Sequence, residues 1–136
     1  MSNLENLVPP VELCRMIPAG EFGDSTLVYR FDHQQAGKMF PETNEDERFF
    51  YVEEREMVEF AQRNMVNPPP MFPAPTLEEI LAKLRDITEQ PGVYCGRITG
   101  LFVCDSKEFL TPIKDKSGAA AALRLWFKVK GVKIEI

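Results

Sequence analysis

The chain has 136 residues, of which 44% are hydrophobic, and a net charge of −5. That length suits one domain, residues 1–136, able to bury roughly two-thirds of its unfolded surface without metals or disulfides. The charge argues against general binding to nucleic acid or anionic membrane, which needs Lys and Arg to neutralise phosphates, and no apolar run approaches the roughly 18 residues of a membrane helix.

No basic start followed by an apolar stretch opens the chain, so the expectation is a cytoplasmic protein. In residues 7–19, Pro10 opens a short helix with Val11, Cys14 and Ile17 on one face, ended by Pro18 and Gly20. Residues 25–32 hold Leu27, Val28, Tyr29 and Phe31, a β-type run. Residues 33–41 read as a loop. Two readings stay open for residues 42–64. One is a helix capped by Thr43 or Asn44 with Phe50, Met57, Phe60 and Ala61 as its stripe. The other is a strand over 48–52 followed by a helix over 53–64.

Residues 67–75 contain five prolines and predict an extended connector. Thr76-Leu77-Glu78-Glu79 is a capping box, and Leu77, Ile80, Leu81, Leu84 and Ile87 follow at helical spacing. Pro91 and Gly92 stop that helix. Residues 93–98, 101–105 and 109–113 predict three strands of an antiparallel meander. Gly96 suits a bulge or close backbone approach. Ser117 caps a last helix whose Ala-rich start runs through Leu123, Trp126 and Phe127 to a Gly131 C-cap. Val132, Ile134 and Ile136 alternate as a strand would. The expected fold is α+β: a small antiparallel sheet of three to five strands with two or three helices packed on it.

Two stretches, Pro73-Ala74-Pro75-Thr76-Leu77-Glu78-Glu79-Ile80-Leu81 and the Ala119–Gly131 segment ending in Leu-Trp-Phe-Lys-Val-Lys-Gly, resemble short uncharacterised proteins encoded in bacterial phages and prophages. The resemblance covers mainly residues 73–131. It rests on a helix cap and an apolar helix face, and implies a phage-related context and no particular activity.

The residues offer no catalytic, cofactor-binding or metal set. His33, Cys14, Cys95 and Cys104 form a Cys3His inventory, but no two lie two to four apart, as paired zinc ligands do. Cys95 and Cys104 are placed to face each other across a hairpin, yet buried thiols are the expectation. Cys14 with His33 is the one nucleophile–base pair on offer, and Cys14 falls on an apolar helix face. The paired carboxylates Glu53 and Glu54, Glu56 and Glu59, and Glu78 and Glu79 sit on charged helix faces. Gly92, Gly96 and Gly100 do not form a phosphate-binding fingerprint.

Charge is segregated. Residues 42–59 hold eight acidic and two basic residues, and residues 107–136 hold seven basic and three acidic. This predicts an ordinary solvated surface, head-to-tail self-association, or an acidic face that mimics nucleic acid. Adjacent Trp126 and Phe127 cannot share one helix face, so one is expected in the core and the other half exposed at a contact surface. The expectation is a non-enzymatic accessory or protein-interaction protein, contacting a protein partner or itself through Glu53, Glu54, Glu56, Glu59, Trp126 and Phe127. The alternatives are a small cysteine-dependent hydrolase and an acidic DNA-mimic inhibitor of a DNA-binding protein.

Overall fold

The computed structural model describes residues 3–31, 50–64, 71–95, 100–107 and 113–132. A 3-10 helix, Asn3–Leu7, leads to α1 (Val11–Cys14), β1 (Leu27–Phe31), β2 (Phe50–Glu54), α2 (Arg55–Gln62) and β3 (Met71–Pro73). Then come α3 (Leu77–Ile87), β4 (Gly92–Cys95), β5 (Phe102–Asp105), β6 (Ile113–Asp115) and α4 (Gly118–Lys130). The fold is α+β. Its described strands are divided between two three-stranded antiparallel sheets, one ordered β2-β1-β3 and the other the meander β4-β5-β6. Among the described residues no helix is long and apolar enough to cross a membrane.

The organising element is α4. Ala119, Ala120, Ala121, Ala122, Leu123, Leu125, Trp126 and Phe127 are all buried, and a helix apolar on every side must be enclosed. It lies against all three strands of the meander, α3 and α1. Ser117 Oγ accepts from the Ala120 amide at 3.3 Å. Gly131 ends the helix in the left-handed region, φ 74°, where a side chain would be strained. Gly118 allows the close approach beneath: a Cβ there would sit 3.3 Å from Phe102 Cδ1. The one polar position in the buried run, Arg124, pairs its Nε with Asp115 Oδ2 at 2.9 Å.

Both halves of the chain feed one buried cluster, with Leu13, Phe22, Leu27, Tyr29, Phe50 and Val52 joined to the α4 side chains. Register divides the first sheet by face. Tyr29 lies opposite Val52 and Phe72, and Val28 opposite Glu53 and Pro73. Alternation therefore turns Leu27, Tyr29, Phe50, Val52 and Phe72 to one face, and Val28, Arg30, Tyr51 and Glu53 to the outer face, where Val28 is itself fully buried. Phe72 stacks 5.6 Å from Tyr29 and 5.1 Å from Phe50, while Tyr29 Oη donates to the Pro9 carbonyl at 2.7 Å.

Several expectations change. Residues 71–73 of the Pro-rich connector pair as edge strand β3, where Pro73 can lack an amide without breaking an inner ladder. Of the two readings for residues 42–64, the structure has strand then helix over residues 50–62, and Phe50 belongs to β2, not to a helical stripe; Thr43 and Asn44 lie outside the described residues. Pro10 is the N-cap of α1 rather than its first residue. The third meander strand is described over Ile113–Asp115, and residues 109–112 of the expected strand lie outside the described residues. Cys95 pairs with Phe102 and Cys104 with Val93, so the two cysteines are not cross-strand partners. The loop at 33–41, His33, Gly96, Pro68, Pro69, Pro70 and the tail beyond Val132 lie outside the described residues.

Candidate interaction surface

Trp126 and Phe127 are not on the surface: they are 2% and 0% exposed. Their adjacency sends them to different sides of α4, and both sides are covered. Phe22 packs on Trp126 with ring centroids 4.9 Å apart. The contact surface expected there is therefore absent.

Among the described residues the exposed large apolar side chains are Leu7, Met57, Phe60 and Tyr94, and only Met57 and Phe60 share one element, α2. This helix is held by its first residue: Arg55 Nε donates to the Ser25 carbonyl at 2.7 Å, and Nη2 to Ser25 Oγ at 2.8 Å. The Arg55 amide donates to the Thr26 carbonyl at 2.8 Å. Those bonds turn one face, with fully buried Val58, toward β1 and β2. The opposite face carries Met57 and Phe60, which are 58% and 70% exposed, next to exposed Ala61. Spacing of three and four along the helix makes these three neighbours. Arg63 lays its guanidinium carbon 5.4 Å from the Phe60 ring centre, a cation–π contact that keeps a charge at the edge of the patch.

The four predicted acidic residues surround α2 unequally. Glu53 is on the outward face of β2 and pairs with Arg30 at 3.1 Å. Glu59 approaches Arg55 at 4.0 Å. Glu54 and Glu56 are exposed and carry no ion pair among the described residues. The missed residues are Met57 and Phe60; their helical spacing was legible, but not the direction they face.

Cys14 is enclosed, 1% exposed, and its thiol hydrogen is directed at the Pro9 carbonyl, with Sγ 3.6 Å from the oxygen. Burial, reinforced by Glu12, raises its pKa far above the ordinary thiol value. Burial, with Asp105 adding to it, pushes the Cys104 thiol up to about 12. Neutral, buried thiols of this kind are poor nucleophiles and poor metal ligands. Among the described residues no group of three His, Cys, Asp or Glu side chains is placed to hold a metal ion.

A cleft of about 790 Å³ opens between the 3-10 helix and the starts of α3 and α4, lined by Leu7, Val8, Leu77, Phe102 and Ala119 among others. Its polar lining is Asn6, Thr76, Glu78, Asp115, Lys116 and Ser117, with no Cys or His, and three of these groups are engaged in the fold. Thr76 closes the α3 capping box, Ser117 caps α4, and Asp115 holds Arg124. That leaves no nucleophile–base pair facing it among the described residues.

No family model, curated protein or solved structure matches this chain. The patch combines two large, exposed apolar side chains, a rigid helix fixed at its base, and charged residues at the rim, which is the anatomy of a small protein-contact site.

Proposed function

We propose that this chain is a non-enzymatic accessory protein of phage or prophage origin that works by binding protein through the outer face of α2. The observation that carries the reading is the exposure of Met57 and Phe60, 58% and 70%, on a helix whose other face is firmly anchored. A phenylalanine left in water forfeits about 1.5–3 kcal/mol of burial free energy, and exposed aromatic and Met side chains grouped together mark contact sites more often than scattered ones do. Glu54, Glu56 and Arg63 supply the polar rim. The closed surroundings of Cys14 count against the hydrolase reading, and the phage context rests on the resemblance over residues 73–131.

Two measurements test the proposal. A photo-crosslinking residue at position 60 is expected to form adducts with one defined protein in cells expressing the chain, and a crosslinker at exposed Ala82 is not. Equal labelling at both positions, or none at position 60, defeats the α2 assignment. A gene position among capsid, tail or replication genes supports the phage context, and a place in a metabolic operon refutes it.

A further inference from the structure

We infer that the partner of the α2 face is a second copy of this chain, the two helices packing antiparallel about a two-fold axis beside Phe60; this deepens the reading of α2 as a contact face and rests on it. The face is self-complementary in charge. Glu56 and Arg63 are seven residues apart, so they lie on the same edge of the helix, two turns from each other with Phe60 between them. Neither is engaged in an ion pair among the described residues, and Arg63 stays beside the patch through its contact with the Phe60 ring. Arg55, the other cation of the helix, is turned inward by its bonds to Ser25 and the Phe22 carbonyl.

Antiparallel packing sets each Glu56 opposite Arg63 of the partner subunit and brings Met57 and Phe60 of both copies together in the middle. Parallel packing would set Glu56 against Glu56 and Arg63 against Arg63, which repels. An isologous contact of this kind closes after two copies and leaves no sticky face behind. It is also small. Eight residues make a helix about 12 Å long, well short of the roughly 800 Å² per partner that stable complexes bury. The pairing is accordingly weak, with a dissociation constant on the order of 0.1 mM.

Sedimentation equilibrium of the full chain from about 10 μM to 1 mM spans that range. The expected result is a monomer–dimer equilibrium. Phe60→Glu should raise the dissociation constant at least about tenfold, with an unchanged circular dichroism spectrum because the site is exposed. Glu56→Arg and Arg63→Glu should each weaken pairing about three- to tenfold, since symmetry repeats every change, and the double variant should return to within about twofold of wild type. A dimer indifferent to Phe60→Glu overturns the inference, as does a double variant no better than the singles. A chain monomeric throughout also overturns it. In that last case, a crosslink from position 60 to another protein keeps α2 as a contact face, whereas no crosslink removes both readings.

Discussion

Glu79→Ala is expected to destabilise the protein by about 2–3 kcal/mol, although Glu79 is only half buried. Its two carboxylate oxygens perform separate tasks. Oε1 accepts from the Thr76 amide at 2.9 Å and closes the capping box of α3. Oε2 accepts from the Thr26 amide at 2.9 Å and from Thr26 Oγ1 at 3.2 Å. One side chain thus ties the start of α3 to the residue preceding β1, which in turn accepts from the Arg55 amide. Hydrogen bonds to a charged group contribute about 1.5–3 kcal/mol each when buried. Water reaches this site, so about 1 kcal/mol for each of the two amides is the defensible figure, plus about 0.5 kcal/mol for an acid in the first turn of a helix. For a domain of this size that lowers the midpoint of thermal unfolding by roughly 6–12 °C. The assay is urea unfolding followed by the fluorescence of the single tryptophan, buried Trp126. Exposed Glu78→Ala is the control and should stay within about 0.5 kcal/mol of wild type. If Glu79→Ala behaves like that control, the tie between α3 and β1 has no energetic meaning.

Four other outcomes follow from the same structure. Trp126→Ala should cost about 3–5 kcal/mol in urea unfolding followed by circular dichroism, because the indole is enclosed against Phe22 and Phe127; a loss below about 1 kcal/mol contradicts its burial. Phe60→Ser should change stability by less than about 0.5 kcal/mol while Phe50→Ala, at 8% exposure, costs about 3 kcal/mol or more, and equal losses would mean that α2 is facing the other way. Native Cys14 and Cys104 should react with a disulfide reagent at least about 100-fold more slowly than in denaturant, since attack requires the thiolate and access. The raised Cys104 pKa also makes stability fall with pH. From the ordinary value of 9.0 up to about 12 the unfolded chain gives up this proton while the folded chain keeps it. The stabilisation is fully present below pH 9 and declines above it by up to about 1.4 kcal/mol per pH unit. Buried Cys14, whose pKa is raised as well, adds a decline of its own, so Cys104→Ala should remove up to about 1.4 kcal/mol per pH unit of the slope and leave the rest, and an unchanged slope would refute the assignment.

Local features were legible in the sequence because both interacting parts lie within a few residues of each other. The capping box of α3 needs only Thr76 and Glu79, and α4 announces itself through Ser117 and Gly131. The meander was legible through alternation and turn residues. Long-range decisions were hidden. Residues 48–54 carry too short an apolar run to separate strand from helix, and pairing with β1 settles it. In α2 the sequence offers two apolar directions, Val58 alone against Met57, Phe60 and Ala61 together. Counting favours the larger set as the core face. The structure chooses the smaller one because Arg55 is tied to Ser25 and Phe22, residues thirty positions away. Likewise, reading Trp126 and Phe127 as one buried and one exposed assumes a helix with a single covered side. In fact α4 is covered by the meander and also by α3, with Phe22 packed on Trp126 itself.

The same geometry bears on which physical force the α2 surface would use. Electrostatic mimicry of nucleic acid needs a continuous field of one sign. Around α2, Glu53, Glu54, Glu56 and Glu59 are met by Arg30, Arg55 and Arg63, so among the described residues four acids are set against three bases. Two of those acids are already in ion pairs, which contribute little to stability but locally cancel charge. What remains uncompensated there is apolar area, at Met57 and Phe60. Association through this face should therefore depend only weakly on salt, because screening acts on charge and not on burial. Raising salt from about 0.05 to 0.5 M should change affinity by less than about threefold, against the ten- to hundredfold loss expected of a charge-driven inhibitor. A steep loss would hand the surface back to its carboxylates and make Phe60 incidental.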